Sequence, residues 1–204
     1  MPRRHYFTPL EDLNLTPRDI VVSLVATQIL VLGLAFIILF LYYGPAQVLF
    51  RLQEAGWTPA SGNAFFWTLA VFAALFLFEW LIARFVPPRY LYDPLNALLF
   101  KLLPWPVLSG CFILGAFCEE VLFRGVLQNI WGLGVATTLF VLIHVRYLRR
   151  GVLLLEVVIL GLGLGMLYNT TGTLWAPILC HFALNIGTMF LVRRGILSYE
   201  NPKK

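Results

Sequence analysis

Six long apolar runs constrain the fold of this chain more than any other feature. The first, residues 20–43, contains no formally charged residue, and a helix needs about 20 apolar residues to cross a bilayer. With 60% hydrophobic and only 12% charged residues, the composition excludes an ordinary soluble domain. The sequence therefore predicts an all-α polytopic membrane bundle of about six transmembrane helices, forming one domain over residues 1–204. The runs cover residues 20–43, 63–86, 105–131, 135–148, 152–168 and 173–192.

The connections between these runs have their own patterns. Residues 44–62 are predicted to form a loop. Residues 89–104 mix leucines with charged and amide residues, which predicts a short amphipathic helix at the membrane surface, with Asp93 able to cap its start. Gly132 and Gly134 predict a tight turn between the third and fourth runs.

The cations predict the orientation of this bundle. In a six-helix arrangement nearly all of them fall on one side of the membrane, whereas Arg51 falls on the other. Because cytoplasmic loops carry the Lys and Arg excess, we expect both termini, including the tail 1–19, to be cytoplasmic in the inner (cytoplasmic) membrane. The net charge of +5 then reflects topology and predicts no nucleic-acid partner. The cations on the first side are Arg3, Arg4, Arg18, Arg84, Arg89, Lys101, Arg146, Arg149, Arg150, Arg193, Arg194, Lys203 and Lys204.

Two carboxylates and a guanidinium lie inside the third apolar run. Ionisable side chains are costly in hydrocarbon, so Glu119, Glu120 and Arg124 indicate a functional site. Glu120 and Arg124 are four residues apart on one helical face, which predicts an ion pair. Glu119 lies about 100° around the helix, so its carboxylate is the one predicted to be available for chemistry.

Histidines in two other runs complete the set of intramembrane polar residues. His181 and Asn185 are also four residues apart and can face one cavity, and His144 comes from a further run. A carboxylate and a histidine can deprotonate a water, while a second histidine and an asparagine can stabilise an oxyanion. Alternatively, Glu119, His144 and His181 could bind a divalent metal such as Zn²⁺, as in a metalloprotease. The spacing leaves both possibilities open, although the signature His-Glu-x-x-His is absent.

These motifs together resemble those of a known family. In order and placement they are similar to the three motifs of the CPBP intramembrane proteases, which include type II CAAX prenyl endopeptidases and the bacterial Abi-type bacteriocin-processing and immunity proteins. The resemblance covers residues of about 105–190, the predicted catalytic region. The motifs are Glu119-Glu120-x-x-x-Arg124, Phe140-x-x-x-His144 and His181-x-x-x-Asn185.

The resemblance implies a role for each of the six residues. Glu119 and His144 would activate water. Glu120 and Arg124 would support them, and His181 with Asn185 would form the oxyanion hole.

The predicted function is therefore an intramembrane endopeptidase that hydrolyses peptide bonds of a membrane-associated protein or peptide in the lipid bilayer. Two alternatives stay open: a non-catalytic bacteriocin-immunity or membrane chaperone protein, and an ion-coupled transporter that uses the same Glu and His residues. Glu79 and Glu156, near one end of their runs, are predicted to be structural or entrance residues, with Glu79 pairing with a nearby arginine.

Overall fold

The structure is a computed structural model that describes residues 15–57 and 62–197. Within these ranges the chain is helical and contains no strand, which confirms the prediction of an all-α polytopic bundle. The helices are α1 (Pro17–Tyr43), α2 (Val48–Glu54), α3 (Gly62–Phe85), α4 (Pro88–Leu91), α5 (Pro94–Leu102), α6 (Trp105–Glu120), a π-helical segment (Val121–Gln128), α7 (Asn129–Ile143), α8 (Gly151–Thr171) and α9 (Trp175–Arg193).

Helix α1 begins where the sequence indicates. The hydroxyl of Thr16 accepts a hydrogen bond from the Asp19 N–H, and the Asp19 carboxylate accepts one from the Thr16 N–H. This reciprocal cap satisfies backbone donors that the first helical turn would otherwise leave unpaired. Most of the predicted cytoplasmic tail (residues 1–14), together with Lys203 and Lys204, lies outside the described residues, so the side on which the termini lie stays a prediction.

Five helical stretches are long and apolar enough to cross a membrane in the described part of the chain, and one of them is folded on itself. That stretch, Trp105–Ile143, has non-helical angles at Gly132 (φ 81°, ψ 170°). The ring centroids of Phe123 and Phe140 are 5.1 Å apart. Along a straight helix these residues would lie about 25 Å apart at 1.5 Å per residue. The chain therefore turns back at Gly132 and forms a hairpin, as the glycines predicted. The other four stretches are α1, α3, α8 and α9.

The second leg of this hairpin corrects the predicted fourth span, 135–148. Helix α7 ends at Ile143 and a 3₁₀ turn follows over Val145–Tyr147. After Gly132 the leg has about 11 residues and rises about 16 Å, roughly half of the hydrocarbon core. The prediction was wrong because an apolar run shows where a helix can continue but not where a side chain ends it.

The side chain that ends this helix is that of His144. Its backbone N–H donates to the carbonyl of Val141 at 3.1 Å instead of that of Phe140. Its own ring Nδ1 lies 2.7 Å from the Phe140 carbonyl and replaces the lost helical hydrogen bond. These two hydrogen bonds hold His144 at the end of the shorter leg of the hairpin.

The connections also differ from the predictions in detail. The predicted loop 44–62 contains the 3₁₀ turn Pro45–Gln47 and helix α2. The predicted surface helix over 89–104 is two short helices, α4 and α5. They are separate because the prolines that begin each helix interrupt the backbone hydrogen bonding. Asp93 caps α5 as predicted, with its side chain accepting the Leu95 N–H at 2.9 Å.

The glycine pattern of α8 allows close packing on two sides, as small residues do in membrane helices. A Cβ at Gly161 would lie 3.2 Å from the Phe140 ring, which belongs to the hairpin. A Cβ at Gly163 would lie 3.0 Å from Leu75 of α3. Helix α8 is therefore the central helix against which the hairpin and α3 pack.

We expect Gly132→Ala to lower the free energy of unfolding by about 1–3 kcal/mol, because the angles at Gly132 are accessible essentially only to glycine. Nothing lies within 4 Å of a Cβ added there, so the effect would come from the backbone alone. Denaturant titration of the protein in detergent micelles measures it.

Gly134→Ala is the matched control, since a Cβ at Gly134 also meets nothing within 4 Å but Gly134 has no positive φ. It should be neutral or slightly stabilising. Equal destabilisation by the two variants would contradict the proposed turn.

Candidate functional site

A cavity of about 310 Å³ lies within the bundle and collects four of the six predicted site residues. Glu119 reaches it from α6, His144 from the end of the hairpin, and His181 and Asn185 from α9. These residues are far apart in the sequence and come together only because the hairpin packs against α8 and α9. The remaining two, Glu120 and Arg124, do not line the cavity and form its support.

The support is a buried three-residue cluster around the Glu120 carboxylate. Glu120 is 0% exposed and Arg124 1% exposed. The Arg124 Nε lies 3.1 Å from Glu120 Oε2, which confirms the predicted ion pair. The His181 Nδ1 lies 2.9 Å from Glu120 Oε1, a contact that the sequence did not predict.

Arg124 also connects this cluster to the rest of the bundle. It lies in the π-helical segment, a rare backbone form often found at functional sites. Its Nη2 donates to the Gly161 carbonyl of α8 at 3.0 Å, and its guanidinium lies 4.9 Å from the centre of the Phe140 ring. The phenylalanine of the second motif therefore covers the buried ion pair, while the histidine of that motif faces the cavity.

Glu119 has a different environment from its neighbour. It is half-buried, lines the cavity, and makes no hydrogen bond or ion pair with another residue in the described ranges. The structure thus agrees with the expectation that Arg124 binds Glu120 and leaves the Glu119 carboxylate available.

His144 is held in one orientation from two sides. Since a carbonyl oxygen only accepts, the Nδ1 facing Phe140 must carry the proton, and in the neutral ring Nε2 then has a lone pair. The Tyr147 ring stacks on the imidazole at 5.9 Å, and the Tyr147 hydroxyl donates to Asp93 at 2.6 Å. Arg146 binds the same carboxylate at 3.4 Å. Asp93 therefore links α5 to the segment that carries the histidine.

Glu79 and Glu156 also line the cavity. The expected pairing of Glu79 with an arginine is wrong, because its carboxylate instead accepts a hydrogen bond from the Thr188 hydroxyl. Thr188 lies one turn beyond Asn185 on α9. The sequence could not show that α3, which carries Glu79, faces α9 there.

Sequence reasoning also missed Gln28 on α1, which reaches the same cavity. A signal was present, because Gln28 is the only amide side chain within Pro17–Tyr43. A residue on the first helix could be linked to the site only after the packing of α1 against α6 was known.

The described residues do not fit a metal centre. No group of three or more His, Cys, Asp or Glu side chains among them is arranged to hold a metal ion. Dependence on a divalent ion such as Zn²⁺ stays a prediction.

Comparison with known proteins shows a similarity that is confined to the second half of the chain. Residues 101–187 match the family described as type II CAAX prenyl endopeptidase Rce1-like. An uncharacterized protein, YpbD of Bacillus subtilis (strain 168), is 38% identical over 100 residues, which cover 48% of this chain and 53% of YpbD. The match thus spans about half the length of this curated relative. No solved structure matches the chain.

The matched segment contains all six residues that the motifs singled out, from Glu119 to Asn185. The resemblance indicated by the motifs is confirmed at the level of this match: residues 101–187 are similar to the Rce1-like type II CAAX prenyl endopeptidases.

Proposed function

We propose that this protein is an intramembrane endopeptidase that hydrolyses a peptide bond of a membrane-associated protein or peptide by means of a water activated by Glu119 and His144. One observation carries the proposal: an unpaired carboxylate and an oriented histidine share one intramembrane cavity with His181 and Asn185. Unpaired ionisable groups in a membrane are costly and are retained at functional sites.

The proposed first step uses both hydrogens of the water. One is hydrogen-bonded to the Glu119 carboxylate and the other to Nε2 of His144, the ring atom that accepts when Nδ1–H binds Phe140. The water oxygen attacks the carbonyl carbon of the scissile bond while Glu119 takes the proton. The same proton then passes to the leaving nitrogen as the C–N bond breaks, which regenerates the carboxylate.

The negative charge that develops on the carbonyl oxygen needs donors on the opposite side. The Asn185 amide supplies an N–H directly. His181 donates from Nε2 only as an imidazolium, because its Nδ1–H faces Glu120. The buried Glu120 carboxylate favours that charged form, so the support cluster and the oxyanion donors act as one unit.

The proposed access route lies at the end of the bundle where α5 is found. Asn96 and Leu99 of α5, together with Arg146, line the cavity beside the site residues. This is the end that carries most of the cations, and the distribution of charge supports a cytoplasmic location for it. A substrate segment would thus enter from the cytoplasmic side of the inner membrane.

We expect Glu119→Gln to reduce cleavage at least a hundredfold, since general-base catalysis contributes about 10²–10⁴ in rate. The assay is proteolysis of a panel of membrane-anchored peptides in detergent and in liposomes, with and without phenanthroline. Glu54→Gln is the control, because Glu54 lies in an exposed ion pair with Arg51 and does not line the cavity.

The outcomes separate the alternatives. Cleavage lost in Glu119→Gln but insensitive to the chelator supports the metal-free mechanism, whereas cleavage abolished by the chelator makes the enzyme metal-dependent. Equal cleavage by the variant would show that Glu119 is structural. If the wild type cleaves nothing and Glu119→Gln retains biological function, the immunity or chaperone alternative gains support. Ion flux in liposomes would indicate a transporter.

We expect Arg124→Met to lower the free energy of unfolding by about 3–5 kcal/mol, because it leaves the fully buried Glu120 without its main counter-charge. Glu119→Gln should leave the free energy of unfolding nearly unchanged, since Glu119 has no partner to lose. Denaturant titration in micelles measures both.

The double variant Arg124→Met/Glu120→Gln is the matched control for this cluster. Removing both charges should recover part of the lost stability, because no buried carboxylate is then left uncompensated. If Arg124→Met were as stable as the wild type, the buried ion pair would not support the bundle.

A further inference from the structure

The Gln28 side chain makes an incomplete set of contacts. It lies on α1, lines the cavity that contains Glu119, and its Oε1 is buried without a hydrogen-bond partner among the described residues. A buried acceptor without a partner costs about 1–3 kcal/mol. Buried polar groups in proteins nearly always have a partner, and one without needs a specific explanation.

The position of Gln28 relative to the proposed general base follows from helix geometry. A Cβ at Gly115 would lie 3.7 Å from Gln28 Nε2 and 3.9 Å from Cδ, so the carboxamide rests on the bare backbone of α6. Gly115 is one turn before Glu119, and helical side chains point back toward the N-terminus of their helix. The Gln28 amide and the Glu119 carboxylate thus lie over the same turn of α6, with no direct hydrogen bond between them.

A peptide substrate in this cavity needs hydrogen-bond partners for its backbone. Cleavage requires an extended peptide, whose N–H and C=O groups are no longer paired within a helix. In a membrane each unpaired backbone group costs several kcal/mol unless the protein satisfies it. Over the turn of α6 that carries Glu119, the carboxamide of Gln28 is a neutral group of the cavity wall that can both accept and donate.

We propose that Gln28 binds the backbone of the substrate, with Oε1 accepting a hydrogen bond from a peptide N–H and Nε2 donating to a peptide C=O. This inference rests on the proposed function and deepens it, because it identifies a residue that positions the peptide against Glu119. Gln28 does not take part in proton transfer. It lies on the side of the cavity formed by α1 and α6, whereas the oxyanion donors lie on α9.

Equilibrium binding in a non-cleaving background tests this proposal independently of turnover. The protein carries Glu119→Gln, and the probes are fluorophore-labelled synthetic membrane-anchored peptides in detergent micelles, with anisotropy as the readout. Adding Gln28→Leu should weaken binding about tenfold, through the loss of two hydrogen bonds. Thr27→Val is the matched control, because Thr27 is exposed on the same helix and its hydroxyl donates to the Ser23 carbonyl of that helix.

Peptides with single backbone changes distinguish a direct contact from a general structural effect. In a series in which one N–H at a time is replaced by an ester oxygen, one position should weaken binding to the protein that retains Gln28. The same replacement should cause no further loss in Gln28→Leu. With Glu119 intact, Gln28→Leu should raise KM about tenfold and change kcat less than threefold, and Gln28→Asn should recover part of the loss.

Several results would overturn the inference. One is unchanged binding and KM in Gln28→Leu. Another is a fall in kcat at constant KM, which would mean that Gln28 holds the water instead of the peptide. A third is an ester series in which the wild type and Gln28→Leu respond alike. If the Glu119→Gln protein binds peptides through Gln28 but the wild type cleaves none, the proposed function fails while the backbone contact stands. If no peptide of the panel binds, both fail.

Discussion

The rest of the structure depends on the contacts of one buried group, the Glu120 carboxylate. One oxygen binds His181 of α9, and both lie near Arg124, which in turn reaches the Gly161 carbonyl of α8. A charge buried to this degree is tolerated only when it is paired and hydrogen-bonded. The three helices and the π-helical segment must therefore come together at one point, and the cavity lies beside that point.

This arrangement gives two adjacent carboxylates different environments. Glu120 binds Arg124 and His181. Glu119, about 100° around the helix, makes no ion pair with another described residue and faces the cavity. In a low-dielectric interior, electrostatic interactions are stronger than in water. Arg124 therefore binds one of the two carboxylates and leaves its neighbour without an ion pair in the described part of the chain. The hairpin adds the second group, because the end of its shorter leg brings His144 to the same wall.

Particular residues show how far the sequence could predict this site. The spacing of Glu120 and Arg124 predicted their ion pair, and the glycines at 132 and 134 predicted the turn. The end of α7 at Ile143 could not be predicted, since it depends on the His144 ring replacing a backbone hydrogen bond to Phe140. Contacts between helices that are far apart in the sequence could not be predicted either. Neither the Thr188 hydroxyl on Glu79 nor the packing of Gln28 on Gly115 has any signature in local spacing.

The sequence by itself determined the apolar spans, the helical class, the motif residues and their resemblance to a known family. These follow from apolar run length and from polar residues at i and i+4, which are properties of single helices. Only the tertiary structure decided which histidine binds the buried Glu120 carboxylate, which histidine nitrogen is available, and which side chain of the first helix reaches the cavity. Those outcomes depend on how separate helices pack in three dimensions, and helix packing is set by contacts between residues far apart in the chain.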